Sequence, residues 1–180
     1  VDAVVEGSIT DLSRFPDGAF DAILCLGVPL SHVVDCDQRQ TALAELGRVA
    51  RPEAPLFLSA MNRIASLRGS IEWWDIEFLD RFLAEYFHTG IAPMTSHAIP
   101  VYLFWPEEFV ALLESCGLRV ERLYGTNGIG AHLREEHLLR LMDDPVRWPL
   151  WEQALLRTCD HPNIVGISRH LLAVARRLDA

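Results

Sequence analysis

The run Ala22-Ile23-Leu24-Cys25-Leu26 is apolar at every position and sits between turn residues, Phe15-Pro16-Asp17-Gly18 ahead of it and Gly27 behind. A strand with one wet face alternates apolar and polar side chains. An unbroken run of this length reads instead as a strand covered on both faces. Two covered faces require helices on either side, which predicts an α/β layer and not a sandwich. The next segment agrees. Across residues 38–50, Ala42, Leu46 and Val49 recur at spacings of four and three, the mark of a helix with one apolar face. Arg51-Pro52 stops that helix, because proline disfavours helical geometry in the residue before it. Pro55-Leu56-Phe57-Leu58-Ser59-Ala60-Met61 follows as a second buried strand.

Further along, the rhythm is interrupted and then resumes. Val4-Val5 leads into Glu6-Gly7-Ser8-Ile9-Thr10, which reads as the end of a short strand and a turn. Residues 62–104 carry a helical apolar stripe (Ile76, Leu79, Leu83, Tyr86, Phe87) and unusual aromatic weight in Trp73, Trp74 and Tyr102. Trp105-Pro106-Glu107-Glu108 is a helix start, with proline in the first turn and two acids matched to the positive end of the helix dipole. Phe109, Leu112, Leu113 and Cys116 give that helix its inward face, and Gly117 occupies the left-handed position that ends it. Residues 118–124 alternate, as an edge or half-covered strand does. A second irregular region, 125–166, contains helices over 133–142 and 149–158, and His170-Leu171-Leu172-Ala173-Val174-Ala175 closes the chain as a strand. No repeat or linker divides it, so residues 1–180 are read as one domain with insertions at 62–105 and 125–166.

Composition narrows the function. All sixteen basic residues are arginine. Without lysine there is no Schiff base and no phosphate-gripping lysine of the nucleotide-hydrolase loop. The formal charge of −9, with no basic cluster beyond Arg176-Arg177, opposes a nucleic-acid partner. The longest apolar runs are strand-sized and too short for a bilayer, and the N-terminus lacks the pattern of a signal peptide. Four cysteines without C-x-x-C spacing read as reduced thiols, three of them in or beside apolar segments, in a cytoplasmic protein. His132 and His137 are five apart, which is off one helical face, so no metal site is expected. There is no G-x-S-x-G elbow of a hydrolase.

The local wording resembles the class I S-adenosylmethionine-dependent methyltransferases. Asp11-Leu12 with Phe15-Pro16-Asp17-Gly18-Ala19-Phe20-Asp21-Ala22-Ile23 is similar to that family's passage between its third and fourth strands. Leu26-Gly27-Val28 with Ser31-His32-Val33 resembles the segment after the fourth. Leu46-Gly47-Arg48-Val49-Ala50-Arg51-Pro52 resembles the stretch before the fifth, and Trp105-Pro106-Glu107-Glu108 through Cys116-Gly117-Leu118 the late helix-to-strand passage. The resemblance starts at the family's third strand. Its G-x-G-x-G turn has no counterpart, Gly125-Thr126-Asn127-Gly128-Ile129-Gly130 being a loop in the wrong place. Ser8 stands where the family has an acid near the adenine, and Glu53-Ala54 where it has a glycine pair.

The resemblance implies a Rossmann-like α/β fold: a mostly parallel sheet flanked by helices, the last strand antiparallel, the N-terminal strands missing, with a helical and aromatic insertion. It implies methyl transfer from S-adenosylmethionine to a small-molecule acceptor, needing N-terminal sequence outside this chain. The alternative is a non-catalytic domain of the same fold that binds a partner or serves as a scaffold. By resemblance, Ser8 and Ile9 flank the adenine, and Leu26, Gly27 and Val28 line the path to the methionine part. His32 is the candidate base or pocket hydrogen-bonder, with His97 a weaker one. Trp73, Trp74, Tyr86 and Tyr102 are the candidate acceptor-binding aromatics. An unpaired side on the strand at 22–26 predicts a homodimer or strand exchange.

Overall fold

The computed structural model describes residues 3–73, 76–93 and 99–178. Its centre is a four-stranded sheet. Strand β1 (Ile23–Cys25) is followed by a short helix α1 (Pro29–His32) and a long one, α2 (Cys36–Val49), before strand β2 (Pro55–Met61). Asp35 caps α2 by accepting the Gln38 N–H, and Ala50 leaves it in an extended conformation ahead of Arg51-Pro52. The insertion then runs through α3 (Arg63–Trp73), α4 (Ile76–Arg81), a π-helical turn Phe82–Tyr86 and α5 (Phe87–Thr89). It ends in two short strands, β3 (Ile91–Pro93) and β4 (Pro100–Tyr102), which pair with each other in a separate antiparallel sheet.

Helix α6 (Pro106–Ser115) begins at the predicted Trp105-Pro106 start, where the Glu108 carboxylate accepts the Trp105 N–H. It ends at Gly117 with φ at 78°, a left-handed residue as the sequence required. Strand β5 (Leu118–Gly125), a 3-10 turn Gly128–His132, helices α7 (Glu135–Met142), α8 (Arg147–Thr158) and α9 (Pro162–Ile167), and strand β6 (His170–Arg177) complete the chain.

The strand order is β1-β2-β6-β5. β1 runs parallel to β2, while β6 is antiparallel to both β2 and β5. Three strands therefore share one direction and the last in sequence opposes them. This is the mostly parallel, helix-flanked α/β sheet that the sequence predicts. Among the described residues no helix is long and apolar enough to cross a membrane.

The core lies on one face of this sheet. Ile23, Cys25, Leu56, Leu58, Leu171, Ala173 and Ala175 are all buried there, in one cluster with Leu43 and Leu46 of α2 and Phe109 and Leu113 of α6. The opposite face differs. The register places Leu24, Phe57 and Val174 in one row, and none of the three is buried; Leu24 is 67% exposed. The expectation that residues 22–26 form a strand covered on both faces is thus corrected. The strand is shorter, it lies at a sheet edge, and only its inward face is packed. The apolar run reports what the strand can bury, not what this chain places over it.

Other expectations shift in detail. Residues 3–7 have no regular structure, and Val4 and Val5 are exposed, so no strand ends there. The helix expected at 133–142 starts at Glu135, because the preceding residues are spent in the 3-10 turn. Only Cys25 is a fully buried thiol; Cys116 and Cys159 are half-buried and Cys36 exposed.

Candidate active site

In a doubly wound sheet the ligand crevice opens beyond the carboxyl ends of the strands. Here that end of β1 leads into a tight turn. Leu26 and Gly27 are exposed, and Val28 turns inward and is buried. Gly27 (φ 83°) and Val28 (φ 60°) are consecutive left-handed residues. A Cβ built on Gly27 meets nothing within 4 Å, so the space beside this turn is open. The turn is stitched to β2 by Ser59, whose Oγ accepts the Val28 N–H at 2.9 Å and donates to the Cys25 carbonyl at 3.2 Å. A second stitch comes from α1, where the Ser31 Oγ accepts the Met61 N–H at 2.9 Å. Ser31 and Ser59 are both buried. The two parallel strand ends are therefore held to each other through side chains, beyond the reach of the ladder.

His32 is the last residue of α1 and is exposed. It follows this turn directly. Ser8 and Ile9 fall in the loop ahead of β1, where residues 5–9 and 11–15 line a cavity of about 560 Å³. Ser8 is exposed and its Oγ meets the Thr10 hydroxyl at 2.7 Å, while Ile9 packs against the core. Arg48 fixes the far end of the loop on α2: it pairs with Asp17 and Glu45 and donates to the Phe15 and Leu12 carbonyls. Those bonds raise the guanidinium pKa, Glu45 contributing most, and lower that of Glu45, where Arg48 is the main cause.

The aromatic candidates separate. Trp73 ends α3, while Trp74 and His97 lie outside the described residues. Tyr86 belongs to the π-helical turn and packs on a satellite cluster of Ala92, Val101 and Leu103. Tyr102, on β4, sits at the centre of a polar network that sequence reading did not find. Its hydroxyl bonds Glu108, and the Arg39 guanidinium stacks 3.7 Å above its ring. Burial is the larger cause of the raised Tyr102 pKa, followed by the bond to Glu108. Arg63 donates from Nε and Nη2 to the Leu103 carbonyl at 2.9 and 2.8 Å and pairs with Glu108 at 3.2 Å. Arg39 and Arg63 are both buried. A cavity of about 540 Å³ lined by Arg63, His88, Tyr102, Trp105 and Glu108 opens beside them. The available signal was Arg63 two residues past a buried strand, since a charge at a strand's carboxyl end must find partners or stay wet. Among the described residues no group of three or more His, Cys, Asp or Glu is placed to hold a metal.

Comparison with known proteins bears on the fold. Residues 2–58 match the family model of a methyltransferase domain. That stretch contains β1, the turn after it and most of β2. The architecture matches over nearly the whole chain. A SAM-dependent methyltransferase of Methanosarcina mazei superimposes at a TM-score of 0.54 with 17% identity, over 97% of this chain and 66% of that one.

The chain has the class I methyltransferase fold.

An S-adenosylmethionine-dependent methyltransferase of Mesorhizobium loti shares the fold at a TM-score of 0.53 and 16% identity, over 95% of this chain and 67% of that one. So does a 1,6-didemethyltoxoflavin-N1-methyltransferase of Burkholderia thailandensis, solved with 1,6-didemethyltoxoflavin and S-adenosylhomocysteine (0.50, 16%, over 95% and 48%). The chain spans about two thirds or less of the length of these structures. No curated protein matches it in sequence. The Leu26–Gly27–Val28 turn follows the carboxyl end of β1, the end of the strands beyond which ligands lie in doubly wound sheets.

Proposed function

We propose that this chain is the acceptor-side part of an S-adenosylmethionine-dependent methyltransferase, acting on a small molecule in a cytoplasmic setting. The observation that carries the reading is the exposed Leu26–Gly27 turn at the carboxyl end of β1, with open space beside Gly27 where a side chain would intrude. This is the wall a nucleoside-linked methionine needs: apolar at the exposed Leu26, free of a side chain at Gly27, and anchored by Val28 turned into the core. S-adenosylmethionine, when bound, supplies an electrophilic methyl group. The chain's own residues then act by positioning, since holding two reactants in line replaces a costly encounter.

In this reading Ser8 and Ile9 flank the adenine, and Leu26, Gly27 and Val28 line the path to the methionine part. His32, one turn of helix beyond that wall, takes the acceptor's proton or hydrogen-bonds it. Trp73, Trp74, Tyr86 and Tyr102 contribute to the acceptor side, Tyr102 with its orientation fixed by Glu108 and Arg39. The unpaired outer side of β1 supports self-association where nothing else covers it.

Calorimetric titration of the full-length protein with S-adenosylhomocysteine tests the cofactor part. Transfer of labelled methyl to a panel of small amines, phenols and carboxylates tests the acceptor part. Binding in the micromolar range with His32→Ala lowering kcat and leaving cofactor affinity unchanged supports the reading. Absence of binding favours the alternative, a partner-binding domain of the same fold, for which Ser8 in place of an acid is the supporting observation.

A further inference from the structure

Val28 is the most strained backbone position near the candidate site. Left-handed φ is uncommon for any residue with a Cβ, and for a β-branched one it is a genuine outlier. Only one other non-glycine residue, Glu53, has positive φ among the described residues, and it is exposed in a turn. Val28 is buried, β-branched and preceded by another left-handed residue. Such a conformation persists only where its surroundings over-determine it, and strain of this kind concentrates at functional sites. The determinant is the buried Ser59 hydroxyl, 31 residues away, which receives the Val28 N–H and donates to the Cys25 carbonyl. Without that acceptor the amide of Val28 would be left unpaired and the residue would relax toward negative φ. The peptide between Gly27 and Val28 would then rotate, carrying Leu26 and Gly27 out of their present line. The ladder cannot prevent this, because β1 ends at Cys25.

We propose that Ser59 is a positioning residue for the cofactor wall: its hydroxyl holds the Leu26–Val28 turn in the left-handed geometry that binds S-adenosylmethionine. The inference rests on the proposed function and adds a residue that touches no ligand itself. It acts on the fraction of molecules whose turn is competent, and the apparent dissociation constant scales inversely with that fraction. Val28→Gly removes the penalty for left-handed φ. The two positions are therefore coupled in cofactor affinity, a signature that a merely structural serine would not give.

The experiment is a double-mutant cycle on the full-length protein, with S-adenosylhomocysteine affinity read by calorimetry and thermal midpoint read alongside. Ser59→Ala is expected to weaken binding about tenfold, the size set by an unpaired buried N–H. In the Val28→Gly background the same change is expected to weaken it by about threefold or less. Should Ser59→Ala fail to fold, Ser59→Thr and Ser59→Cys replace it, the threonine binding close to the parent and the cysteine clearly weaker. Equal affinity of Ser59→Ala and parent overturns the inference, as does an equal Ser59→Ala penalty in both backgrounds, or equal affinity of the threonine and cysteine variants. A parent protein that binds no S-adenosylhomocysteine overturns the functional reading as well. Parent binding that is indifferent to Ser59 overturns this inference alone.

Discussion

Gly90→Ala probes how the insertion is locked to the core. Gly90 has φ at 77°, donates its N–H to Tyr86 O at 2.8 Å and receives the Leu103 N–H at 2.7 Å, so its conformation is fixed from both sides. A Cβ there carries the left-handed penalty of roughly 1 kcal/mol or slightly more. It would also overlap the Arg63 Nη2, lie 2.9 Å from Arg63 Cζ and 3.1 Å from the Leu103 carbonyl oxygen. Arg63 would have to withdraw. Its two bonds to the Leu103 carbonyl are then lost or lengthened, at roughly 1.5 kcal/mol each for a charged donor. The pair with Glu108, a partly exposed carboxylate, adds little to this count. The expected loss is about 4 kcal/mol in urea unfolding followed by tryptophan fluorescence and circular dichroism, provided the two transitions coincide. In an Arg63→Ala background the overlap vanishes and Gly90→Ala should cost only about 1 kcal/mol, the left-handed term alone. A loss below 1 kcal/mol in the parent, or the same loss in both backgrounds, would refute the account.

Three further outcomes are expected. Burial, with a smaller contribution from Arg169, lowers the His170 pKa, so the folded protein binds this proton less readily than the unfolded chain. The stability tied to neutral His170 is then complete above the unfolded value near 6.5 and drains as pH falls through it; His170→Gln should flatten that part of a stability–pH curve. Burial pushes the Cys25 thiol up to about 11, while Cys36 is exposed; a disulfide reagent at pH 8 should label Cys36 at once and Cys25 only on unfolding. Phe109 is fully buried in the core between sheet and α6, and Phe109→Ala should cost about 3–5 kcal/mol in the same urea experiment.

The parts of the fold that local chemistry specifies were legible in the sequence. Helix α2 with its stop at Arg51-Pro52, the Trp105-Pro106 start and the Gly117 end of α6, and strand β2 to the residue all follow from periodicity, capping and proline. What was not legible depends on neighbours distant in the chain. Leu24 reads as core because its side chain is apolar, yet its burial is decided by what packs over that face of the sheet. The pair β3–β4 hides because each has three residues and together they include Pro93 and Pro100, which signal loops. The site divides the same way. Leu26-Gly27-Val28 could be located from the strand end. The left-handed Val28 could not, because a β-branched residue gives no local sign of it and its cause lies on β2. Tyr102 was singled out for its ring, but its fixed orientation comes from Arg39 and Glu108 on two different helices.

These distances along the chain bear on where the protein keeps its stability. β2 pairs with β6 over its full length, seven residues in register from Pro55 to Met61, and both strands have neighbours on either side. β1 has three residues, one partner and an exposed outer face. A strand so placed gains little from burial or from its ladder, and on those terms alone the turn after it would be among the first parts to open. Side-chain stitches change that balance. Ser59 and Ser31 tie the weak strand's end to the strong strand's end by bonds that are sheltered from water, where an unpaired partner is costly. The turn after β1 is thus tied to β2 by side-chain hydrogen bonds that the short ladder of β1 does not supply.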